Sequence, residues 1–338
     1  MIGRAKVTVA GAGALGLASA LALADAGCEV TVCDPAPETS ASAVAAGMIA
    51  PVFEAVLDAA APAFDLLIAA RDLWPALEAR AGVTLDRSGA MAVGEEAWLA
   101  TIDAALIRLG VHGIDLPRRT AEDLAPGLSD AWQAAVLVRE DWRLDPGAAL
   151  AALRRACEAA GVSFRRTPVT GPADADWLVI AAGAAPGLRD LAPELVALTP
   201  IKGHILRVAG APHGRVSVRG RAGYAVPTED GLALGATMET GVADPRPDPA
   251  QAAPLLAAGA SLFPGVRGLA AKLLAGVRVT TADGLPLVGL SAAPKVILAT
   301  GARRNGWLLA PIVAQAVSAC VTGREPGPYA RLFDPARF

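Results

Sequence analysis

Lys6-Val7-Thr8-Val9-Ala10-Gly11-Ala12-Gly13-Ala14-Leu15-Gly16 begins a unit that ends at Cys33-Asp34. Lys6 to Ala10 reads as a short buried strand, since Val7 and Val9 are β-branched. It runs into a G-x-G-x-x-G turn, then an Ala- and Leu-rich helix from Ala14 to Ala26 stopped by Gly27, then a second strand from Glu29 to Cys33. Each glycine has a mechanical task. Gly11 serves the tight turn, Gly13 lets backbone approach a pyrophosphate, and Gly16 lets helix and sheet pack closely. The helix start, at Ala14 and Leu15, aims unpaired N–H groups and the positive dipole end at an anion. Asp34, followed by Pro35, closes the second strand where a carboxylate accepts ribose hydroxyls. The unit is expected to bind a dinucleotide.

Asp34 disfavours a 2′-phosphate but does not separate NAD from FAD. The next segment does. An NAD domain supplies its third parallel strand within some tens of residues, whereas here Pro35 to Pro51 is an Ala- and Ser-rich loop containing Ala46-Gly47-Met48. The next convincing buried strand, Asp176 to Gly183, comes far downstream. So long a detour implies an interrupted nucleotide domain with a second domain inserted, an FAD architecture. Pro62 to Arg80 reads as one amphipathic helix and Val83 to Val93 as a pair of short strands. Asp145-Pro146 starts a helix through Ala160, and Val162 to Thr170 reads as a strand whose Val169 meets an adenine through its backbone. Ile201–Val208, Arg215–Val218, Gly223–Pro227 and Leu232–Thr237 read as an antiparallel sheet. After a Pro245–Pro254 loop come a helix from Pro254 to Leu262, strands at Val277–Thr280 and Lys295–Thr300, a turn at Gly301–Gly306, and a last helix from Leu308 to Val321.

The chain has 338 residues, enough for two domains without disulfide support. Although 54% of it is hydrophobic, its apolar runs break before the roughly 18 residues of a membrane span. Met1-Ile2-Gly3-Arg4 leads straight into the first strand with no leader, so a cytoplasmic location is expected. Cys28, Cys33, Cys157 and Cys320 lack CxxC spacing, and His112, His204 and His213 form no ligand pattern, so no metal site is expected. A net charge of −3 without a basic cluster argues against nucleic acid.

Beyond the glycine turn and Asp34, the chain carries Ala181-Ala182-Gly183, Pro200-Ile201-Lys202-Gly203, Tyr224 with Pro227, Gly235 to Met238, Arg278 with Asp283 and Pro286, and Arg304-Asn305-Gly306 through Pro311. In these pieces it resembles the D-amino acid oxidase superfamily of flavoenzymes, and within it the glycine oxidase branch of thiamine biosynthesis. The resemblance implies an α/β fold: a Rossmann-like FAD-binding domain of glutathione-reductase type (1–80, 140–198 and 275–338) plus an α+β substrate domain with an antiparallel sheet (81–139 and 199–274). It implies noncovalent FAD, with Ala41, Ser42, Ala46, Gly47 and Met48 near the pyrophosphate and flavin, Val169 at the adenine and Gly183 beside the cofactor. Ala302, Arg303, Arg304, Asn305, Gly306, Trp307 and Leu308 would line the pyrimidine edge of the flavin. Arg278 would bind a substrate carboxylate, Arg304 would add a second contact, Tyr224 would hydrogen-bond through its hydroxyl, and Met48 and Met238 would limit the pocket to small side chains.

The implied reaction is oxidative deamination of glycine or another small amino acid to the imino acid, with O2 reduced to H2O2 and the product feeding thiazole synthesis. No side chain is nominated as acid or base. Two guanidinium groups facing one cleft would repel until an anion arrives. Arg303 reads as solvated; in isolation Arg278 reads more readily as an ion-pair partner, for instance of Asp283, and only its motif reverses that. Val279, Arg303 and Trp307 depart from the family pattern and leave side-chain preference open. Alternatives are a D-amino acid or secondary-amine dehydrogenase passing electrons to a quinone or acceptor protein, and a non-enzymatic flavin module. Homo-oligomeric assembly is left open.

Overall fold

The strand Lys6–Ala10 lies inside a six-stranded sheet in the computed structural model, which describes residues 4–58, 60 and 63–338. The start at Met1–Gly3 and the expected helix start at Pro62 lie outside the described residues. Across the sheet the order is Leu287–Leu290, Val296–Thr300, Trp177–Ile180, Lys6–Ala10, Glu29–Cys33, Ser163–Arg165. Every pairing is parallel except that of Leu287–Leu290 with Val296–Thr300. Val7 stands beside both Val30 and Trp177, so the glycine turn leaves the carboxyl end of a strand flanked on both sides. That is where an open α/β sheet binds its ligand. The third parallel strand beside Glu29–Cys33 is Ser163–Arg165, which places the expected interruption between them.

The helix Ala14–Asp25 buries Leu17, Ala18 and Leu21 in one core with Val9, Val32, Leu153, Val313 and Val317. The last helix, Gly306–Thr322, lies in that core along most of its length. Trp74 Nε1 donates to the carbonyls of Trp307 (3.1 Å) and Leu308 (3.2 Å), fixing the start of that helix from outside.

A second sheet contains nine strands. Its order is Glu239–Thr240, Thr199–Ala209, Gly231–Gly235, Gly223–Pro227, Ser217–Gly220, Ala90–Val93, Ala134–Val138, Ile114–Pro117, and Ala271–Thr280 pairs antiparallel with Thr199–Ala209. The sheet is mixed rather than wholly antiparallel, because Ser217–Gly220 runs parallel to Ala90–Val93. The strand carrying Arg278 starts at Ala271, earlier than Val277.

Other expectations change locally. Pro35–Pro51 is not a bare loop: it holds a one-turn helix Ala41–Val44 capped by the Ser40 hydroxyl and the strand Met48–Ile49. Pro51 then opens a helix to Leu57. The single helix expected up to Arg80 is two, Phe64–Asp72 and Trp74–Ala81, since Pro75 has no N–H for a continuous ladder. Of Val83–Val93 only Ala90–Val93 is a strand, and of Val162–Thr170 only Ser163–Arg165. No described helix is long and apolar enough to cross a membrane. Among the described residues no group of three or more His, Cys, Asp or Glu side chains is placed to hold a metal ion.

Candidate active site

The glycine turn is as tight as its sequence demands. Gly11 has φ +107°, and a Cβ there would lie 2.6 Å from the Ala181 carbonyl oxygen, while one on Gly16 would strike the Gly11 carbonyl. A Cβ on Gly13 would sit 3.1 Å from Ser42 Oγ. Side chains at Gly11 and Gly16 would collide with the chain's own backbone, so only glycine allows the close strand, turn and helix packing that a dinucleotide-binding turn uses. Ala12 N donates to Asp34 Oδ2 (2.8 Å) and Ala36 N to Oδ1 (2.9 Å). The carboxylate is thereby fixed at the strand end, and each oxygen keeps a lone pair for a ribose hydroxyl. Ala14 N donates to Ser42 Oγ (3.0 Å), so the chain itself occupies one amide of the helix start. Later amides of that first turn have no partner within the helix. Asp34 N donates to Arg165 O (3.0 Å), which brings the segment holding half-buried Val169 to the same sheet edge. Gly183 has φ +57° with open space around it.

Beside the cradle, on the far side of Ser42, a cleft opens against the large sheet. One lobe is lined by Ala41, Ser42, Val44 and Ala45 against Gly203, Ile205 and Gly276. The other is lined by Ala46, Gly47, Met48, Glu54, Tyr224, Ala236, Met238 and Asn305. Arg278, Arg304 and Trp307 border both. The structure therefore gathers Arg278, Arg304, Tyr224, Met48 and Met238 at one place. Gly47 has φ +78° and packs against the Leu144 carbonyl, while Met48 pairs with Arg143, which fixes the Ala46–Met48 segment. Trp307 Nε1 donates to Ser42 O (3.1 Å). The turn before the last helix is strapped to the strand of Arg278: Arg303 N donates to Val279 O (2.9 Å), and Ala302 bridges Thr280. Ala302 and Leu308 bury their side chains in the core beneath the cleft.

The two arginines differ in electrostatic setting. Arg304 Nη1 lies 2.5 Å from Asp58 and Nη2 lies 3.5 Å from Glu54. Burial pushes Arg304 down, but Glu54 and Asp58 lift it above its usual value. Arg303 is not a free solvated cation either, since its guanidinium is 3.4 Å from Asp58. The expected repulsion between the guanidinium groups holds, since beside burial Arg304 and Arg303 help to lower Arg278, but Arg304 is not uncommitted, because it has its own carboxylates. Arg278 makes no ion pair among the described residues, and burial lowers its pKa, with Tyr224 opposing that shift. Its sequence neighbour Asp283 faces elsewhere, accepting from Thr281 Oγ1 (2.7 Å) and pairing with Arg337 (2.8 Å). Tyr224 is buried, and burial raises its phenol. Its ring packs on Gly235, the residue opposite it in the sheet, where a Cβ would strike the ring.

Sequence reasoning missed the acids. Glu54 and Asp58 are held by the Pro51–Leu57 helix and its C-cap, whose first amides, Val52 N (2.8 Å) and Phe53 N (3.1 Å), donate to buried Asp141. Burial raises Asp141 to about 7 against the pull of Arg219 and those amides. Arg219, also buried, lies over the Tyr224 ring at 5.5 Å and 3.7 Å from Glu54. The available signal was Pro51 followed three residues later by Glu54, a helix-start pattern.

A dinucleotide cradle beside a cleft that holds a guanidinium with no ion pair among the described residues suits a cofactor-dependent oxidoreductase. The chain belongs to the FAD dependent oxidoreductase family (DAO), which matches residues 6–320, and its cofactor is FAD. It is 29% identical over 98% of its length to the bifunctional protein ThiO/ThiG of Synechocystis, spanning 54% of that protein, about half the length of such relatives. It is 29% identical to the glycine oxidase of Pseudomonas putida, covering 98% of this chain and 97% of that one. Among solved structures, the glycine oxidase of Geobacillus kaustophilus superposes with a TM-score of 0.85 at 25% identity, covering 99% of both chains.

Proposed function

We propose that this chain oxidises the amine of a small amino acid, glycine or a close relative, to the imine, with Arg278 holding the carboxylate. The observation that carries this reading is the absence of any ion pair to Arg278 among the described residues, on a cleft beside the cofactor cradle. A guanidinium left uncommitted in a desolvated site is a receptor for an anion, and its two parallel donors fix a carboxylate's orientation as well as its position. The Tyr224 hydroxyl supplies a further donor. Met48 and Met238 close the wall and favour a small side chain. Arg304, neutralised by Asp58 and Glu54, acts as a positioned donor at the rim more than as a second free charge.

In this reading segments 1–80, 140–198 and 275–338 hold the cofactor, and 81–139 with 199–274 cover the substrate. Gly11, Gly13, Ala14, Leu15, Gly16, Asp34 and Pro35 would hold the adenosine and pyrophosphate, with Val169 and Gly183 flanking. Ala41, Ser42, Ala46, Gly47 and the turn from Ala302 to Leu308 would hold the ring system. When bound, FAD supplies the two-electron acceptor and passes the electrons to O2. The amino end of the Gly306–Thr322 helix favours negative charge next to it. The likeness to the glycine oxidase branch extends the proposal to supplying an imine for thiazole synthesis. Purified holoprotein given glycine, sarcosine and several D-amino acids should release peroxide with at least one. Anaerobic bleaching by an amino acid, followed by slow reoxidation in air, would instead favour a dehydrogenase. Colourless protein that takes up no FAD overturns the reading.

A further inference from the structure

Glu54 is the one carboxyl on the substrate lobe that is buried, and its Oε2 has no hydrogen-bond partner among the described residues. Its Oε1 is 3.5 Å from Arg304 and 3.7 Å from Arg219, both beyond hydrogen-bond length; Asp58, within hydrogen-bonding reach of the Glu54 carboxyl, takes the short pairing with Arg304. A buried oxygen without a hydrogen-bond partner is costly, so it calls for a ligand that satisfies it. We propose that Glu54 accepts the proton that the substrate's ammonium must lose before its carbon can be oxidised. This rests on the amino-acid reading above.

In that step an ammonium N–H bond breaks, its electron pair stays on nitrogen, and the proton forms an O–H bond at Glu54 Oε2. The substrate passes from zwitterion to amino carboxylate, still held by Arg278, and no electrons leave it. The freed lone pair is what pushes the later electron transfer from the α-carbon. The arrangement suits the task. Arg278 and Glu54 present opposite charges to one lobe, as a zwitterion's two ends require. The groups facing Glu54 are Arg304 from the turn before the last helix, Arg219 from the strand Ser217–Gly220, Asp58 at the end of its own helix, Asp141, and Tyr224 and Arg278 from the large sheet. Burial raises the Glu54 carboxyl and Asp58 adds to the rise, while Arg304 and Arg219 restrain it. The result is a base stronger than an ordinary carboxylate, closer to working pH. Arg304 and Arg219 in turn make an ammonium beside them easier to deprotonate.

The test is anaerobic stopped-flow reduction of the holoenzyme by glycine, or by whichever amino acid bleaches it, from about pH 6 to 10, in wild type and Glu54→Gln. Wild type should lose rate on the acidic side through one ionisation. The Gln variant should be slower by about 10²-fold near neutrality and recover as pH deprotonates the free ammonium, with FAD content unchanged. A Gln variant within about threefold of wild type that keeps the acidic limb overturns the proposal. Should Gln fail to hold FAD, Glu54→Asp keeps the charge beside Arg219 and Arg304; slower reduction with the limb retained supports the proposal, and behaviour identical to wild type overturns it. Wild-type flavin that no amino acid bleaches defeats the amino-acid reading itself, whatever the variants do.

Discussion

Gly203 and Arg278 compete for the same space: a Cβ built on Gly203 would collide with Arg278 Nη2 and lie 2.9 Å from the Thr237 carbonyl oxygen. The two residues sit on neighbouring strands, where Gly203 pairs with Gly276 and Ile201 with Arg278, and the missing Cβ at Gly203 clears a bed for the guanidinium. Gly203→Ala must therefore tilt Arg278 off its bed without touching the cofactor cradle. A displacement on the order of 1 Å at a positioning group costs about 10²-fold. We expect kcat/KM for an amino acid to fall by that order, with flavin absorbance per protein unchanged. Wild-type kinetics in this variant would show that the guanidinium does not bind substrate from its bed on Gly203.

Removing the charge itself is the stronger perturbation. Arg278→Met keeps the stem but leaves the carboxylate without a partner in a desolvated site, a loss of about 3–4 kcal/mol, or on the order of 10² to 10³ in kcat/KM. Arg278→Lys should recover part of it, since an ammonium restores the charge but not the paired donors. The measurement is steady-state peroxide formation alongside titration of a simple carboxylate inhibitor against the flavin spectrum. Near-normal turnover in Arg278→Met would remove this residue from the site.

Asp58 acts in the opposite direction. It holds Arg304 at 2.5 Å and Arg303 at 3.4 Å, cancelling positive charge at the cleft rim. Asp58→Asn leaves a polar group of the same shape and frees that charge, so anions should bind more tightly, by about three- to tenfold at low salt. The inhibition constant of acetate, measured at low and high ionic strength, checks this. Weaker acetate binding in Asp58→Asn would mean that Asp58 matters by aiming Arg304 at the carboxylate and not by neutralising it.

Legibility in the sequence followed the range of the interactions. The strand Lys6–Ala10, its glycine turn and the helix after it are set by local periodicity and by backbone space at Gly11 and Gly16, and the structure has them where they read. The Arg278 segment was legible as a motif, but its electrostatics were not. Asp283, five residues on, looks like a partner, yet it pairs with Arg337, which is 54 residues away. The role of Glu54 and Asp58 was not legible locally, because it depends on Arg304 arriving from the far end of the chain. Ser163–Arg165 was overextended since nothing local marks where a three-residue edge strand ends. The helix break at Pro75 was legible in principle and overlooked: Pro in a helical pattern marks a boundary.

The Asp283–Arg337 pair makes a separate prediction about acid stability. Burial alone would raise Asp283, but the Arg337 guanidinium, the Thr281 hydroxyl and the Leu285 amide outweigh it and hold the carboxyl at about 2. A folded pKa below the unfolded value means that the stabilisation is present above the unfolded pKa of about 3.9 and is lost as pH falls through the folded one. The Asp283 side chain is 38% exposed, so solvent screening reduces the contribution to about 1 kcal/mol. Arg337→Ala should therefore lower the urea midpoint at neutral pH, with the gap to wild type constant down to about pH 5 and closing between about pH 4 and 2. FAD content and kcat/KM should change little near neutrality, because Asp283 does not touch Arg278. A gap that persisted unchanged at about pH 2 would mean that Arg337 stabilises the chain by packing against Phe338 and the loop and not through this carboxylate.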